Sequence, residues 1–537
     1  MIRMFQIKNI FYNKIYNKYR IELFLFSLMF FIGLPLRLYQ LSNRSLWFDE
    51  ADVVLDSVNI LGASKILTLH NPIIGYKIFI SYWRYFYPYM HEWMLRLPSV
   101  ILAIVAIFFI YKLAALMFNK DVGIISAFLL TVSPLQIYYS QEAVAYSFLI
   151  FSSIVTFYCF MRLVKGGHPA YFYILFNVIN IYTHPIMWIL FLIENIIVIA
   201  KVREGRGIYR KIILCNLIVV IIAIPCFYSV FSGSNLLFAK DNFYFERTTG
   251  YIPVPTWKSF YHLFKDLTLG YNAPGFIYPA GIFLFLILFF RGIYQLVKKE
   301  SGKIVLLVTL LPPLIVFFIA KITSVSYYLD RYFAPILPFF CIIIAFAIWK
   351  VNKKIIKILL IASISVLSIF SLSNYYRDIL PFDVIAVPTK KAIREAAAYI
   401  NKSLEKNDII LHTCRNTALP FEYYFDFYFN KSSDIFKDYP ERITNKQYII
   451  SCEKLEDSAQ LYKYMMRNTN LQSEYVPLGN YEINNDRVFL VFSKWKFDEA
   501  SIPEVYTLNW LDKKYIMETK RKFNGITVYL FKKRSIF

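Results

Sequence analysis

A run of about twenty apolar residues can cross a lipid bilayer as a helix, and this chain carries such runs repeatedly. They lie near 21–40, 94–117, 122–138, 144–162, 171–184, 186–200, 211–231, 276–297, 303–321, 332–349 and 355–373. Inside lipid a backbone must satisfy its own hydrogen bonds, which leaves the helix as the economical solution for such segments. The expectation is a polytopic α-helical membrane protein with about 11 transmembrane helices. Composition agrees, with 58% hydrophobic and only 18% charged residues over 537 positions. The apolar run at 21–39 is too long for a signal-peptide core, and no small-residue cleavage site follows, so it reads as a retained first span.

The charges give an orientation. With the N-terminus inside, the inner segments 1–20, 112–121, 162–168, 201–211, 291–303 and 350–357 hold 22 Lys and Arg against three acids. The outer loops hold nine Lys and Arg against ten acids. That is a positive-inside bias. An odd number of spans then places residues 374–537 outside. This tail has 25 basic and 21 acidic residues, so most of the net charge of +23 belongs to the membrane part. A basic protein of this size invites a nucleic-acid reading. Here the charge sits in short loops between spans, and no nucleic-acid partner is expected. The expected location is a plasma membrane, multi-pass, with the N-terminus cytoplasmic and the C-terminal domain extracytoplasmic.

Two domains follow: 1–373 in the membrane and 374–537 outside it. In the tail, 389–404 carries a helical face of Ile393, Ala397, Ile400 and Leu404. Strand patterns stand at 408–413, 447–452, 487–492 and 526–531, with further helices at 417–430 and 455–467. Alternating strand and helix predicts a small α/β domain. No Gly-rich phosphate loop follows any of these strands.

The six cysteines carry little information. Cys159, Cys215, Cys226 and Cys341 lie in apolar spans, where Cys behaves as a small hydrophobe. Cys414 and Cys452 are either reduced core residues or a disulfide. There is no CxxC motif or Cys/His cluster with metal-ligand spacing.

The chemistry is expected in the outer loops. The first, from about 41 to 93, contains Trp47-Phe-Asp-Glu-Ala-Asp52 and Asp56, four acids in eight positions. Amphipathic helices at 51–61 and 73–87 can lie along the interface with Trp and Tyr at headgroup depth. A carboxylate in a partly dry cleft can take a proton from an attacking hydroxyl. Asp49, positioned by Trp47 and Phe48, is the candidate, with Glu50 pointing elsewhere on any regular backbone. The alternative is an acid cluster that complements a helix dipole, the role expected for Asp52 and Asp56. The tetrapeptide Asp49-Glu50-Ala51-Asp52 also spells a helicase box, but no phosphate-binding GxxxxGK[ST] loop exists in the chain.

The second outer loop is short. It places Glu142 between two spans, with Tyr138, Tyr139, Gln141 and Tyr146 around it. An ionisable group at that depth is a functional candidate by default, the alternative being an ordinary helix-start carboxylate. His184, in Tyr182-Thr-His-Pro185, either bonds substrate or caps a broken helix. Glu194 lies deeper and is expected to have a packing partner.

The order of these motifs resembles a family. The acidic turn precedes His70-Asn-Pro72. Then come Glu92-Trp-Met-Leu-Arg96-Leu-Pro98, Ser133-Pro, Tyr138-Tyr-Ser-Gln-Glu142-Ala, Tyr146, Thr183-His184 and Asp330-Arg331-Tyr332. Together they resemble the GT-C class of integral membrane glycosyltransferases, within it the protein mannosyltransferase-like and aminoarabinose transferase-like group of bacteria. The resemblance is clear over 40–190 and weaker near 330–340. Asn71 stands where many members have a second proline, and Ala145 where a basic or polar residue is frequent.

The resemblance implies a GT-C-like helical fold and transfer of a monosaccharide from a polyprenyl-phosphate carrier to a cell-surface glycan, lipid or protein acceptor, with inversion. Asp49 matches the first-loop acid that orients or deprotonates the acceptor, and Glu142 the second-loop acid. Glu50, His70, Lys77, Arg96, Tyr139, Gln141, Tyr146, His184 and Arg331 are the expected substrate-binding residues. Lys77, Arg84, Arg96 and Arg331 are the outer cations available to a phosphate, although Lys77 and Arg84 can equally anchor to lipid headgroups. No cofactor is required, and a divalent metal is optional without a visible ligand set. The competing function is a multispan transporter or flippase of lipid-linked saccharides, which predicts repeat symmetry and broken helices at the midplane. No such symmetry is visible in the sequence.

Overall fold

The computed structural model describes residues 21, 23–59, 74–87, 91–202, 207–232, 252–380, 391–405, 407–413, 415–429, 447–451, 474–477, 485–493 and 504–534. The membrane part opens with α1 (Leu23–Leu38), which contains a π-helical stretch at Leu28–Gly33. Two amphipathic helices follow, α2 (Phe48–Asn59) and α3 (Gly75–Phe86). Next are α4 (Glu92–Met117), α5 (Lys120–Val132), α6 (Pro134–Ser140), α7 (Tyr146–Val164), α8 (Ala170–Ile181), α9 (Ile186–Val202) and α10 (Gly207–Ser232). After 252 come α11 (Trp257–Leu269), α12 (Tyr278–Leu296), α13 (Glu300–Thr323), a 3-10 turn Asp330–Ile336, α14 (Leu337–Trp349) and α15 (Lys354–Tyr376).

Each of the eleven apolar runs is largely helical, and the helices differ in length. Among the described residues seven helices are long and apolar enough to cross a bilayer, or eight if α5 and α6 form one bent span. α1 and α8 are shorter apolar helices, and α9 has 17 residues including Glu194 and Lys201. The bend between α5 and α6 is 59° and has a local cause. Pro134 at the first helical position cannot continue the preceding ladder, and the Ser133 hydroxyl accepts a hydrogen bond from the Gln136 N–H. The sequence pattern 122–138 reads as one straight span because both halves are apolar.

Burial sorts the helices by depth. α14 is apolar on all sides and buried almost throughout, as a central helix must be. α15 exposes most of its apolar side chains, Ile355, Leu359, Val366 and Ile369 among them, and reads as a lipid-facing rim helix. Close approach at one point requires glycine. Gly270, with φ of 67°, ends α11, and a Cβ there would stand 2.9 Å from the Pro134 side chain. This contact brings α11 against α6 and its tyrosines.

The C-terminal domain is a six-stranded mixed sheet of order β3-β2-β1-β4-β6-β5. The strands are β1 (Ile409–His412), β2 (Gln447–Ser451), β3 (Glu474–Pro477), β4 (Arg487–Phe492), β5 (Tyr515–Phe523) and β6 (Ile526–Lys533). The first four strands in that order are mutually parallel, and β6 runs antiparallel to both of its neighbours, β4 and β5. Its helices are α16 (Ile393–Ser403), α17 (Arg415–Tyr423) and α18 (Glu504–Asp512). The expected helix at 455–467 lies outside the described residues, as do Cys414 and Cys452. The four cysteines of the spans are free and buried.

This domain does not hang on a linker. Leu46, Ala51, Val54, Leu95 and Ala143 of the membrane part share one apolar cluster with Ile393, Ala396, Ile400, Leu419 and Tyr424 of the C-terminal domain. Tyr424 Oη accepts from the Leu46 N–H at 2.7 Å and donates to Glu92 at 3.1 Å. Arg394 adds a 2.9 Å ion pair to Glu92. The sheet domain is therefore built onto the end of the bundle that carries the acidic turn.

Candidate active site

Helix α2 begins at Phe48, earlier than the apolar pattern suggests, so Asp49 and Glu50 lie in its first turn. Carboxylates are favoured there by the helix dipole. Successive helical residues point about 100° apart, and the two acids take different partners.

Glu50 is fully buried. Arg96 of α4 grips it with two parallel bonds, Nε to Oε1 at 2.7 Å and Nη2 to Oε2 at 2.8 Å. The Ala143 N–H also donates to Oε1 at 2.8 Å. The remaining Arg96 donors reach the carbonyls of Leu41, Arg44 and Ser45. One ion pair thus fastens three segments: the loop after α1, the start of α2 and the turn after Glu142. Its hydrogen bonds satisfy both charges, which a buried pair needs if it is not to destabilise the fold.

Asp49 faces the other way. Arg331, in the 3-10 turn before α14, donates from Nη1 to Asp49 Oδ2 at 2.8 Å. The Asp49 side chain keeps about a third of its surface open, at 32%, against 10% for Arg331. Burial pushes the Asp49 carboxyl above its ordinary value, and Arg331 pulls it back. The Arg331 guanidinium lies 5.7–6.0 Å from the ring centroids of Trp47, Tyr146 and Tyr332.

Glu142 is buried in the turn between α6 and α7. The indole N–H of Trp47 donates to its Oε2. The two acids are therefore linked through Trp47, which sits one residue from Asp49's helix, touches Arg331 and binds Glu142. Around them is an aromatic wall. Tyr139 and Tyr271 share a 2.5 Å hydroxyl hydrogen bond. The Tyr139 ring packs on Tyr146 at 4.7 Å, and His184 packs on Tyr332 at 4.8 Å.

His184 Nδ1 accepts from the Ile186 N–H at 3.2 Å, capping α9. A neutral imidazole accepting at Nδ1 carries its proton on Nε2. Burial, helped by nearby Arg331, pushes this histidine down to about 3, so it stays neutral. Gln141 is a fastener: its amide donates to the carbonyls of Arg37 and Tyr39, and its oxygen accepts from Tyr375.

Lys77 lies between Asp52 and Asp56, bonded to Asp52 at 3.1 Å and also to Asp56. Burial opposes its charge, yet the two carboxylates raise its pKa overall. Asp52 and Asp56 are thus spent on a basic neighbour. Arg84 is no headgroup anchor. It is buried and donates to the Val54 carbonyl at 3.2 Å and the Ser57 hydroxyl at 2.8 Å, which clamps α3 to α2. His70 and Asn71 lie outside the described residues. Among the described residues no group of three or more His, Cys, Asp or Glu is placed to hold a metal.

Three contributors had no usable signal in the sequence. Tyr271 and Tyr375 complete the wall from distant segments, and Asp266 of α11 is a buried acid in a helix that reads as an ordinary amphipathic one.

The fold has counterparts among known proteins. Residues 88–231 match the dolichyl-phosphate-mannose-protein mannosyltransferase family. The matched segment runs from the start of α4 through the Glu142 turn and the His184 turn, so the resemblance read from the sequence is borne out there. No curated protein matches the chain by sequence. Among solved structures, ArnT from Cupriavidus metallidurans bound to undecaprenyl phosphate aligns with a TM-score of 0.60 at 13% identity, over 94% of this chain and 97% of that one. The apo state of the same protein aligns at 0.58 and 12% identity, with the same coverage. The Archaeoglobus fulgidus oligosaccharyltransferase AglB aligns at 0.47 and 12%, over 88% of this chain and 70% of that one. The chain is a multi-pass membrane protein with the ArnT-like GT-C fold and a small mixed-sheet domain at its C-terminus.

Proposed function

We propose that this protein is a glycosyltransferase that moves a monosaccharide from a polyprenyl-phosphate carrier to an acceptor on the outer face of a plasma membrane, with inversion at the anomeric carbon. The observation that carries it is the Asp49–Arg331 pair: a partly open carboxylate and a cation, joined at 2.8 Å, at the loop end of a GT-C bundle. The family matched by residues 88–231 is named for a lipid-phosphate sugar donor, and the ArnT structure of the same fold holds undecaprenyl phosphate.

The arrangement suits the chemistry. An acceptor hydroxyl attacks the anomeric carbon and gives its proton to Asp49. The bond from that carbon to the phosphate oxygen breaks, and the polyprenyl phosphate leaves with the electron pair. Burial that raises Asp49 makes it a stronger base while ionised. Arg331 stabilises charge on the phosphate and, in doing so, loosens its hold on Asp49. Charge-assisted bonds of this kind are stronger than neutral ones and suit phosphate. Glu142, through Trp47, holds the turn and orients the acceptor. Tyr139, Tyr146 and His184 line the site, and His184 presents a neutral Nε2–H donor. Glu50 with Arg96, Gln141 and Lys77 with its two acids act as positioning residues.

The test is deletion of the gene, with mass spectrometry of lipid-linked sugars and surface glycans. Accumulation of one polyprenyl-phosphate sugar, with one glycan or lipid lacking that sugar, supports the reading and names donor and acceptor together. Unchanged lipid-linked sugars and glycans overturn it.

A further inference from the structure

Beside the site, at the 3-10 turn that carries Arg331, stands a second acid pair that the proposed reaction does not use. Asp266 of α11 is 1% exposed. No N–H or O–H makes a well-formed hydrogen bond to either of its carboxyl oxygens. Lys265 Nζ lies 3.4 Å from Oδ1, an electrostatic contact. The 3-10 turn that Asp330 opens packs directly against α11, and Asp330 is the second acid whose charge bears on Asp266. Two ionised carboxylates are both acceptors and repel, so a close approach of this pair in a buried place is stable only with a proton between them. Asp330 opens the same 3-10 turn whose next residue is Arg331.

We propose that Asp266 and Asp330 hold one proton between them, and that this shared proton ties α11 to the 3-10 turn and so aims Arg331 at Asp49. The two acids are positioning residues. Their importance to catalysis rests on the transferase reading, but the shared proton does not. Burial and the neighbouring Asp330 carboxyl both raise Asp266 above its ordinary value, in keeping with the geometry. The groups facing the pair are Lys265 on α11 itself, Tyr278 of α12, Tyr271 of the following segment, Tyr139 of α6, and Tyr328 before the turn. Of these only Lys265 is cationic, so the pair with one proton and Lys265 sum to zero charge. Loss of the shared proton leaves an unbalanced negative charge in a buried place.

The linkage has a definite sign. In the native state the pair binds more protons than the unfolded chain above about pH 4, so its contribution to stability falls as pH rises. An amide at either position keeps a donor between the two groups without a titratable proton. The experiment is thermal unfolding of the purified full chain in detergent, from about pH 5 to about pH 9. The wild type is expected to lose several degrees of midpoint across that range. Asp266→Asn and Asp330→Asn should each flatten the decline, and infrared difference spectra should lose the band of a protonated carboxyl.

A second measurement tests the aim of Arg331. The coupling between Asp49→Asn and Arg331→Gln, read from unfolding midpoints, should survive in an Asp330→Asn background and collapse in Asp330→Ala. Parallel decline of the wild type and both Asn variants overturns the shared proton. Coupling that is equal in the Asn and Ala backgrounds overturns the positioning role. Neither readout uses sugar transfer, so these failures are separable from failure of the transferase reading.

Discussion

Arg331 reaches across 282 positions of sequence to donate a 2.8 Å hydrogen bond to Asp49. The bond joins the first turn of α2 to the turn that enters the central helix α14. It leaves a carboxylate with about a third of its surface open, at 32%, beside a largely buried cation.

Asp49→Asn removes the base and keeps the shape. Sugar transfer is expected to fall about 10²–10⁴-fold, the range of general-base contributions, with expression and membrane insertion unchanged. Transfer measured beside protein abundance checks this. A stable variant with normal transfer removes the first-loop acid from the mechanism.

Because Asp49 must be ionised to accept a proton, the transfer rate should rise with pH along an acid limb. Burial raises Asp49 above the ordinary carboxylate range more than Arg331 lowers it, so the limb should lie above about pH 4, the model-peptide value. Rates measured across pH with donor saturating locate it. His184, held near 3, should contribute no inflection in the neutral range, and His184→Asn should leave the limb in place.

The Glu50–Arg96 pair is expected to act on stability before activity. Removing one partner strands a buried charge, which costs about 3–5 kcal/mol. Glu50→Gln and Arg96→Met should each lower the unfolding midpoint sharply. The double variant should be less damaged than the sum of the two, which a double-mutant cycle on unfolding midpoints will show.

Tyr424→Phe tests how the sheet domain serves the acidic turn. The change deletes the hydroxyl that accepts from Leu46 and donates to Glu92. A loss of about 1 kcal/mol is expected from such a bond. Transfer should fall by more than stability alone explains, because Asp49 stands only three residues after Leu46. Equal transfer per folded molecule in the variant contradicts that coupling.

Much of this was legible from residue order. The acidic turn, the two amphipathic helices after it and the Glu142 turn are local features, each marked by composition and spacing over a dozen residues. Pairings across the chain were not. The sequence separates Glu50 from Asp49 only by direction on the backbone, and tertiary contact gives one to Arg96 and the other to Arg331. Arg84 looked like an anchor because a basic residue on an aromatic helix commonly is one; its burial depends on α2 lying alongside. The unequal lengths of the apolar helices were hidden because apolarity marks a helix without marking its length. In the C-terminal domain β5 escaped because nearly all its residues are exposed on both faces, which erases the alternation that reveals strands. β3 has four residues and ends in proline.

The most direct test of the central claim uses the lipid extract of a deletion strain as donor. Purified wild-type protein, reconstituted in liposomes with that extract and the sugar-deficient acceptor, should transfer the accumulated sugar and release polyprenyl phosphate, while Asp49→Asn at equal abundance should release none above background. Equal release by the two proteins, or no release by the wild type from an extract that contains the accumulated donor, would contradict it.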